Sequence, residues 1–203
     1  MLDIFEKIGD LIAPPHPAVA QIRAENIKTF ARFYDPERVG DATALACFTI
    51  PRVHAAIAAN KFCDYEKAGL LLSVLLSNWL DSLPERPTIL VPIPLGPKRE
   101  KERGYNQVTR VLSHIKKNFV TVKPLLLRPV DTMPQTDLGR TARLENIKNA
   151  FAVTSSLPQD LSGHRIIICD DVITTGATLA AAKAALTPYL PADCELLCVA
   201  FAH

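Results

Sequence analysis

Apolar positions change their rhythm near residue 88, and the change predicts two kinds of structure along the chain. Before it the spacing is helical. Leu2, Phe5, Ile8 and Ile12 recur every three or four residues with charges between them, which predicts a helix over Leu2–Ile12. Pro14, Pro15 and Pro17 break it, because proline lacks an amide proton and pushes its neighbour to extended backbone. The pattern then predicts a helix over Val19–Phe33, ending near Asp35-Pro36, and a short strand over Ala44–Ile50. A helix over Val53–Lys61 follows, then a longer one over Glu66–Leu83 stopped by Pro84.

From Thr88 onward, short apolar runs alternate with helical stretches. Strands are expected at Ile89–Pro94, Val120–Leu127, Phe151–Val153, Arg165–Cys169 and Glu195–Phe201. A basic loop follows the first of these. Helices are expected at about Asn106–Lys117 and at Ala177–Leu186. A run such as Ile166-Ile-Ile-Cys169 shows no polar alternation, so both of its faces must be covered, as in a parallel sheet between helices. The predicted fold class is therefore α/β. A chain of 203 residues supports one such domain and not two full ones. Residues 1–45 are read as a helical N-terminal extension and residues 46–203 as the α/β domain. The polar stretch Arg128–Asn149 is longer than a plain connection, and loops of that length commonly carry function.

Composition excludes several classes. A net charge of +2 lacks the basic excess of a dedicated nucleic-acid coat. The five cysteines, Cys47, Cys63, Cys169, Cys194 and Cys198, include no C-x-x-C pair, so neither a zinc site nor a disulfide framework is expected. They read as buried thiols in a reducing cytosol. Asp3, Glu6, Lys7 and Asp10 interrupt the N-terminus, unlike the apolar core of a signal peptide. Ala68–Leu80, the most apolar stretch, falls short of the ~20 residues of a spanning helix. No membrane span and a cytoplasmic location follow as expectations.

The segment from Arg165 to Thr178 carries the most chemistry. A β-branched run ends in Asp170 and Asp171, and a Thr/Gly-rich turn then opens an alanine-rich helix. A helix N-terminus offers unpaired amide protons and a positive dipole end, which suit a phosphate. Gly176 allows the backbone to approach an anion or to adopt positive φ. Thr174, Thr175 and Thr178 add hydroxyl donors, and Ala177 supplies a further amide. Two carboxylates would repel a phosphate, but they suit the vicinal hydroxyls of a sugar beside it. A phosphorylated sugar fits both halves of the segment. A strand, an acidic turn and a threonine-capped helix without a ligand would use some of the same residues. Walker and G-x-G-x-x-G spacings are absent.

Asp170-Asp171-Val-Ile-Thr-Thr-Gly-Ala-Thr178 resembles the 5-phosphoribosyl-1-pyrophosphate (PRPP) motif of type I phosphoribosyltransferases. The resemblance implies a parallel sheet with helices on both faces, a site at its carboxyl edge and a small hood, here assigned partly to Ala44–Ile50 and residues 130–151. It also implies that Thr174–Thr178 cradle the 5-phosphate, that acidic residues hold the ribose hydroxyls, and that Mg²⁺ rides on the pyrophosphate.

Two basic stretches extend this picture. Lys98, Arg99, Lys101 and Arg103 follow the first strand of the sheet, where guanidinium groups would neutralise pyrophosphate. Glu100 and Glu102 interleave them, so a solvated loop has the same composition. Arg140, Arg143 and Lys148 lie in the second stretch, and the two arginines share a helical face by spacing. Pro92, Pro94, Leu95, Arg99, Arg103, Gly104, Tyr105, Asn106 and Gln107 resemble one signature of the ComF family. Asp131-Thr132, Pro134-Gln135-Thr136, Leu138, Arg140, Arg143, Asn146 and Ala150-Phe151 resemble its second. That resemblance implies a link to DNA uptake in natural transformation, with protein partners of that process. Many members carry a four-cysteine zinc ribbon at the N-terminus, and residues 1–45 hold no cysteine.

Two readings of function follow. As an enzyme, a phosphoribosyltransferase of the glycosyltransferase class, the chain would let a nucleophile displace pyrophosphate at ribose C1. Asp170, Asp171, Arg103 and Arg140 are then the candidate catalytic residues, and Arg99, Arg103, Arg140 and Arg143 stabilise the departing pyrophosphate. As a non-catalytic module, it would bind the same phosphoribosyl ligand, or a partner, without turnover. Direct nucleic-acid binding has the weakest support, since only Tyr105 and Phe119 lie near the basic stretches and strand-binding grooves stack bases on several rings.

Overall fold

Two faces of one sheet bury most of the apolar side chains. The structure is a computed structural model and describes residues 15–129, 150–155 and 157–203. Its strands are β1 (Glu37–Val39), β2 (Ala42–Ala44), β3 (Thr88–Pro92), β4 (Val120–Val122), β5 (Leu126–Leu127), β6 (Ala152–Val153), β7 (Arg165–Val172) and β8 (Glu195–Ala202). Six of them form a sheet in the order β1-β2-β8-β7-β3-β4, while β5 and β6 pair separately. Strands β2, β8, β7, β3 and β4 are parallel, and β1 runs antiparallel at the edge. This is the predicted α/β fold of type I phosphoribosyltransferase-like proteins.

Helices cover both faces, among them α1 (Pro17–Ile22), α2 (Ile27–Phe30), α3 (Pro51–Phe62), α4 (Glu66–Asp81), α5 (Pro97–Arg103), α6 (Gln107–Ser113) and α7 (Ala177–Leu186). Alternation along the buried strands divides the core. Leu90, Ile167, Cys169, Val199 and Phe201 pack on one face with α3, α4 and α6. Ile89, Val91, Ile166, Ile168 and Ala200 pack on the other with α7. Helix α4 buries Leu72, Leu75, Leu76, Trp79 and Leu80, a stripe at spacings of three, one, three and one. Each such leucine stabilises the fold by roughly 1.5–3 kcal/mol over an exposed one. The stripe ties the helical layer firmly to the sheet.

Several boundaries differ from expectation for identifiable reasons. The helix expected over Val19–Phe33 is two helices, because Asn26 starts a new one. Its side chain accepts from the Thr29 amide at 3.0 Å, and the Thr29 hydroxyl accepts from the Asn26 amide at 3.2 Å. The strand expected over Ala44–Ile50 is instead Ala42–Ala44, and the chain then leaves the sheet before Pro51 opens α3. Residues 97–103, read as a basic loop, form α5, with Pro97 at its start and Gly104 closing it at φ 74°. Val120–Leu127 splits into β4 and β5 around Pro124, which has no amide for a ladder. Strand β7 runs on through the acidic pair to Val172.

The boundary read between residues 45 and 46 is crossed by the sheet, since β1 and β2 of the N-terminal part extend it beside β8. Ala44, assigned to a hood, is a buried residue of that sheet. The helix expected over Leu2–Ile12 lies outside the described residues, as does the stretch 130–149. Of the cysteines, Cys169 and Cys198 are buried, whereas Cys47 is exposed and Cys63 and Cys194 are half-buried. The expectation of five buried thiols therefore holds for Cys169 and Cys198 alone and fails most plainly at Cys47, which sits on the turn leaving β2.

Candidate functional site

Parallel strands end at one edge, so the segments after β2, β3, β7 and β8 converge there. Register fixes the convergence: Pro92 of β3 stands beside Cys169 of β7, Val172 beside Ala202 of β8, and Ala44 of β2 beside Ala200. In open α/β sheets ligands bind outside this edge. Asp170 and Asp171 lie at the end of β7, where successive side chains point to opposite faces.

The two carboxylates have different surroundings. Asp171 is buried and richly partnered. Its Oδ2 accepts from Gln107 Nε2 at 3.0 Å and lies 3.5 Å from Lys61 Nζ, while its Oδ1 accepts from the Val172 amide at 2.9 Å. Asp170 accepts one bond, from the Asp171 amide at 2.8 Å. Burial pushes the Asp170 carboxyl up to about 7, and the neighbouring Asp171 adds to the rise. A carboxyl poised near neutrality at a sheet's carboxyl edge is the kind of perturbation functional sites build.

The turn after β7 leads through a glycine into a helix. Gly176 adopts φ 73°, a left-handed conformation that strains other residues, and it caps α7. A Cβ at Gly176 would meet open space, so the backbone conformation and not protein crowding calls for glycine here. Thr174 and Thr175 are exposed, and the Thr175 hydroxyl accepts from the Ala177 amide at 3.4 Å. Ala177 and Thr178 begin the helix, whose Leu179, Ala182 and Leu186 anchor it to the sheet.

The segment after β3 is a scaffold more than a ligand surface. The Asn106 side chain caps α6 by accepting from the Val108 and Thr109 amides at 2.8 and 3.1 Å, and donates to the Ile93 carbonyl at 2.8 Å. The Tyr105 hydroxyl donates to the Asn60 carbonyl at 2.9 Å and accepts from the Asp64 amide at 3.2 Å. The Arg110 guanidinium lies 3.8 Å from the Tyr105 ring centroid and pairs with Asp64. The Asn60 side chain donates to the Gln107 carbonyl at 2.9 Å. These contacts clamp α3 against α6 and so bring Lys61 to Asp171.

Of the arginines singled out in the sequence, Arg103 bonds to Gln107, one step from Asp171. Arg99 and Arg103 line a hollow of about 340 Å³ together with Lys61 and Phe62. Arg140 and Arg143 lie outside the described residues. Lys61, Phe62 and the amide of Gln107 are contributions that sequence reasoning missed or left without a role. Gln107 was visible in a signature, but nothing in the sequence marked Lys61, 110 residues before Asp171. Tyr105, one of the two rings near the basic stretches, is engaged with Arg110, Asn60 and Asp64.

Fold and site define an α/β protein with a mainly parallel sheet and an acidic strand end followed by a glycine-capped helix. A family model, the phosphoribosyl transferase domain, matches residues 99–203, and the chain belongs to that family. It is similar to Competence protein F of Haemophilus influenzae, 33% identical over 95 residues that cover 46% of this chain and 41% of the relative. It is similar also to DNA utilization protein YhgH of Escherichia coli, 33% identical over 113 residues, 55% of this chain and 48% of the relative. Competence protein ComFC of Bacillus subtilis is 32% identical over 116 residues, 57% and 45% of the two chains. The matched regions span about half the length of these curated relatives. A solved hypoxanthine phosphoribosyltransferase from Staphylococcus aureus aligns over 66% of this chain and 62% of its own, with 13% identity and a TM-score of 0.38. Among the described residues no helix is long and apolar enough to cross a membrane.

Proposed function

We propose that this chain binds PRPP with Mg²⁺ at the carboxyl edge of its sheet and transfers the phosphoribosyl group to an acceptor. The observation that carries this reading is the pairing of an acidic strand end, Asp170-Asp171, with a glycine-capped turn at a helix N-terminus, Thr174–Thr178. In it the turn holds the 5-phosphate and the carboxylates orient the ribose hydroxyls. Arg99 and Arg103, with Arg140 and Arg143, receive the pyrophosphate. In this reading Mg²⁺ would be held by the pyrophosphate oxygens, hard ligands of the kind it prefers. When bound, the ion offsets pyrophosphate charge. The chain's own part is positioning and charge stabilisation: the acceptor's lone pair bonds to ribose C1 as the C1–O bond breaks and its electrons leave on pyrophosphate.

The names of the similar proteins support a role in handling DNA taken up by the cell, with partners in that process. A sensing module without turnover would use the same edge. Calorimetry with PRPP and Mg²⁺, followed by an assay for pyrophosphate release with and without candidate acceptors, tests the reading. Micromolar binding with acceptor-dependent release is expected. Binding without release with any acceptor replaces transfer by sensing, and no binding removes the proposal.

A further inference from the structure

Gln107 is a buried residue at the start of α6, and it is held at three points. Its carbonyl accepts from the Asn60 side chain at 2.9 Å, which fixes the backbone. Its side-chain amide lies between two groups that the proposed site sets to work at opposite ends of one ligand. Arg103 donates to Oε1, and Nε2 donates to Asp171 Oδ2 at 3.0 Å. Arginine only donates and a carboxylate only accepts, so a single orientation of the amide satisfies both. The local chain makes this possible: Arg103 ends α5, Gly104 turns at φ 74°, and Gln107 opens the next helix.

The residue type matters as much as the place. A glutamate at 107 would meet Asp171 with a like charge and cancel the charge of Arg103. A neutral amide does neither, so the cation and the carboxylate are both held and both keep their charge. An arginine ordered before its ligand arrives also loses less freedom on binding. A second link between the same two groups is weaker. Arg103 and Lys61 flank the Phe62 ring at 5.7 and 5.6 Å, and Lys61 Nζ lies 3.5 Å from Asp171. That ring is 68% exposed, and exposed cation–π contacts are worth less than a buried hydrogen bond to a charged group.

We propose that Gln107 is a positioning residue that sets both ends of the PRPP site at once, holding Asp171 for the ribose hydroxyls and Arg103 for the pyrophosphate. The inference rests on the PRPP reading of the site, because that reading gives the two partners their ligands. Gln107 itself touches neither end of the ligand. Its effect at each end runs through one named partner, and this sets it apart from a residue that merely supports the fold.

The test is a set of calorimetric titrations of the full chain with Mg²⁺, using ribose 5-phosphate, pyrophosphate and PRPP. Gln107→Met keeps the length and removes both hydrogen bonds. It is expected to weaken ribose 5-phosphate and pyrophosphate about tenfold each, the worth of one charged hydrogen bond. PRPP, which engages both ends, should lose more than either half. The decisive readout is conditional. In an Arg103→Ala background, Gln107→Met should cost pyrophosphate no more than about twofold further while still weakening ribose 5-phosphate. In an Asp171→Ala background the two ligands should exchange roles. Gln107→Asn keeps an amide one methylene too short to span both partners, and it should match Gln107→Met; it replaces that variant if thermal unfolding shows Gln107→Met to be misfolded. A loss at one end only, no loss at either, or the same losses in every background overturns the proposal. Wild type is titrated with PRPP first: if it binds and the conditional pattern is missing, the role of Gln107 alone is wrong, and if it does not bind, both readings fall.

Discussion

Replacing Asp170 by asparagine should remove a pH dependence that the wild-type site is built to have. Burial and the adjacent Asp171 raise the Asp170 carboxyl to about 7, with Lys61 a lesser, opposing influence. If the ribose hydroxyls are taken by the ionised carboxylate, the competent fraction is about one tenth at pH 6 and about nine tenths at pH 8, from the standard titration relation. Affinity for PRPP should therefore rise roughly tenfold over that interval and flatten above it. The ligand's own phosphates titrate near pH 6, so Asp170→Asn supplies the baseline and the difference between the two curves isolates the side chain. Calorimetry at five pH values in one ionic strength suffices. Parallel curves for wild type and Asp170→Asn would refute the argument.

Linkage gives the same residue a second, independent readout. Its carboxyl sits higher in the folded protein than the ordinary 3.8, so the stability it contributes is complete below that value and is lost as pH rises through about 7. The gap corresponds to at most about 4 kcal/mol by pH 8, less where water reaches the group. In urea unfolding, Asp170→Asn should gain on wild type between pH 5 and pH 8. A constant difference would show that the carboxyl is not perturbed.

Three further outcomes follow from the geometry. Gly176→Val should abolish binding of both ribose 5-phosphate and PRPP and cost roughly 1–2 kcal/mol of stability, because a branched residue is strained at φ 73°; paired calorimetry and urea titration check it. Arg103→Ala should weaken PRPP while sparing ribose 5-phosphate, and equal losses for the two ligands would end the assignment of Arg103 to the pyrophosphate. Tyr105→Phe removes a hydroxyl bonded to Asn60 and Asp64 and should cost about 1–2 kcal/mol in thermal or urea unfolding.

What the sequence revealed follows a physical division. The β7 strand and the turn after it were legible because their chemistry is local: a run of β-branched residues, an acidic pair, and a glycine before an alanine-rich helix occupy 14 consecutive positions, Arg165 to Thr178. Helix α4 was legible because its leucines repeat. Strand β2 was misplaced because Ala42-Thr-Ala44 carries no strand signal of its own and is held there by pairing with β8. The α5 helix was hidden by its charge, since Pro97-Lys-Arg-Glu-Lys-Glu-Arg103 has no apolar face and no buried residue.

Lys61 belongs to neither class, and it shows what the motif near Arg103 is for. In the sequence, Arg103-Gly-Tyr-Asn-Gln107 is part of a family signature in which Arg103 alone has an expected ligand. In the structure the side chains of Tyr105 and Asn106 are spent on helix α3, on Asp64 and on the cap of α6, and Gln107 spans from Arg103 to Asp171. Their combined effect is to fix where α3 ends relative to β7, and Lys61 and Phe62 are the last two residues of α3. The string therefore acts on the site at one remove, by holding an ammonium and a ring that lie outside it. Gly69 supports the same joint, because a Cβ there would come within 2.9 Å of the Arg110 side chain that stacks on Tyr105. A change at Gly69, Tyr105 or Arg110 should thus be felt first at the hollow beside Lys61 and Phe62, and least at the turn after β7, which is anchored through α7 on the opposite face of the sheet.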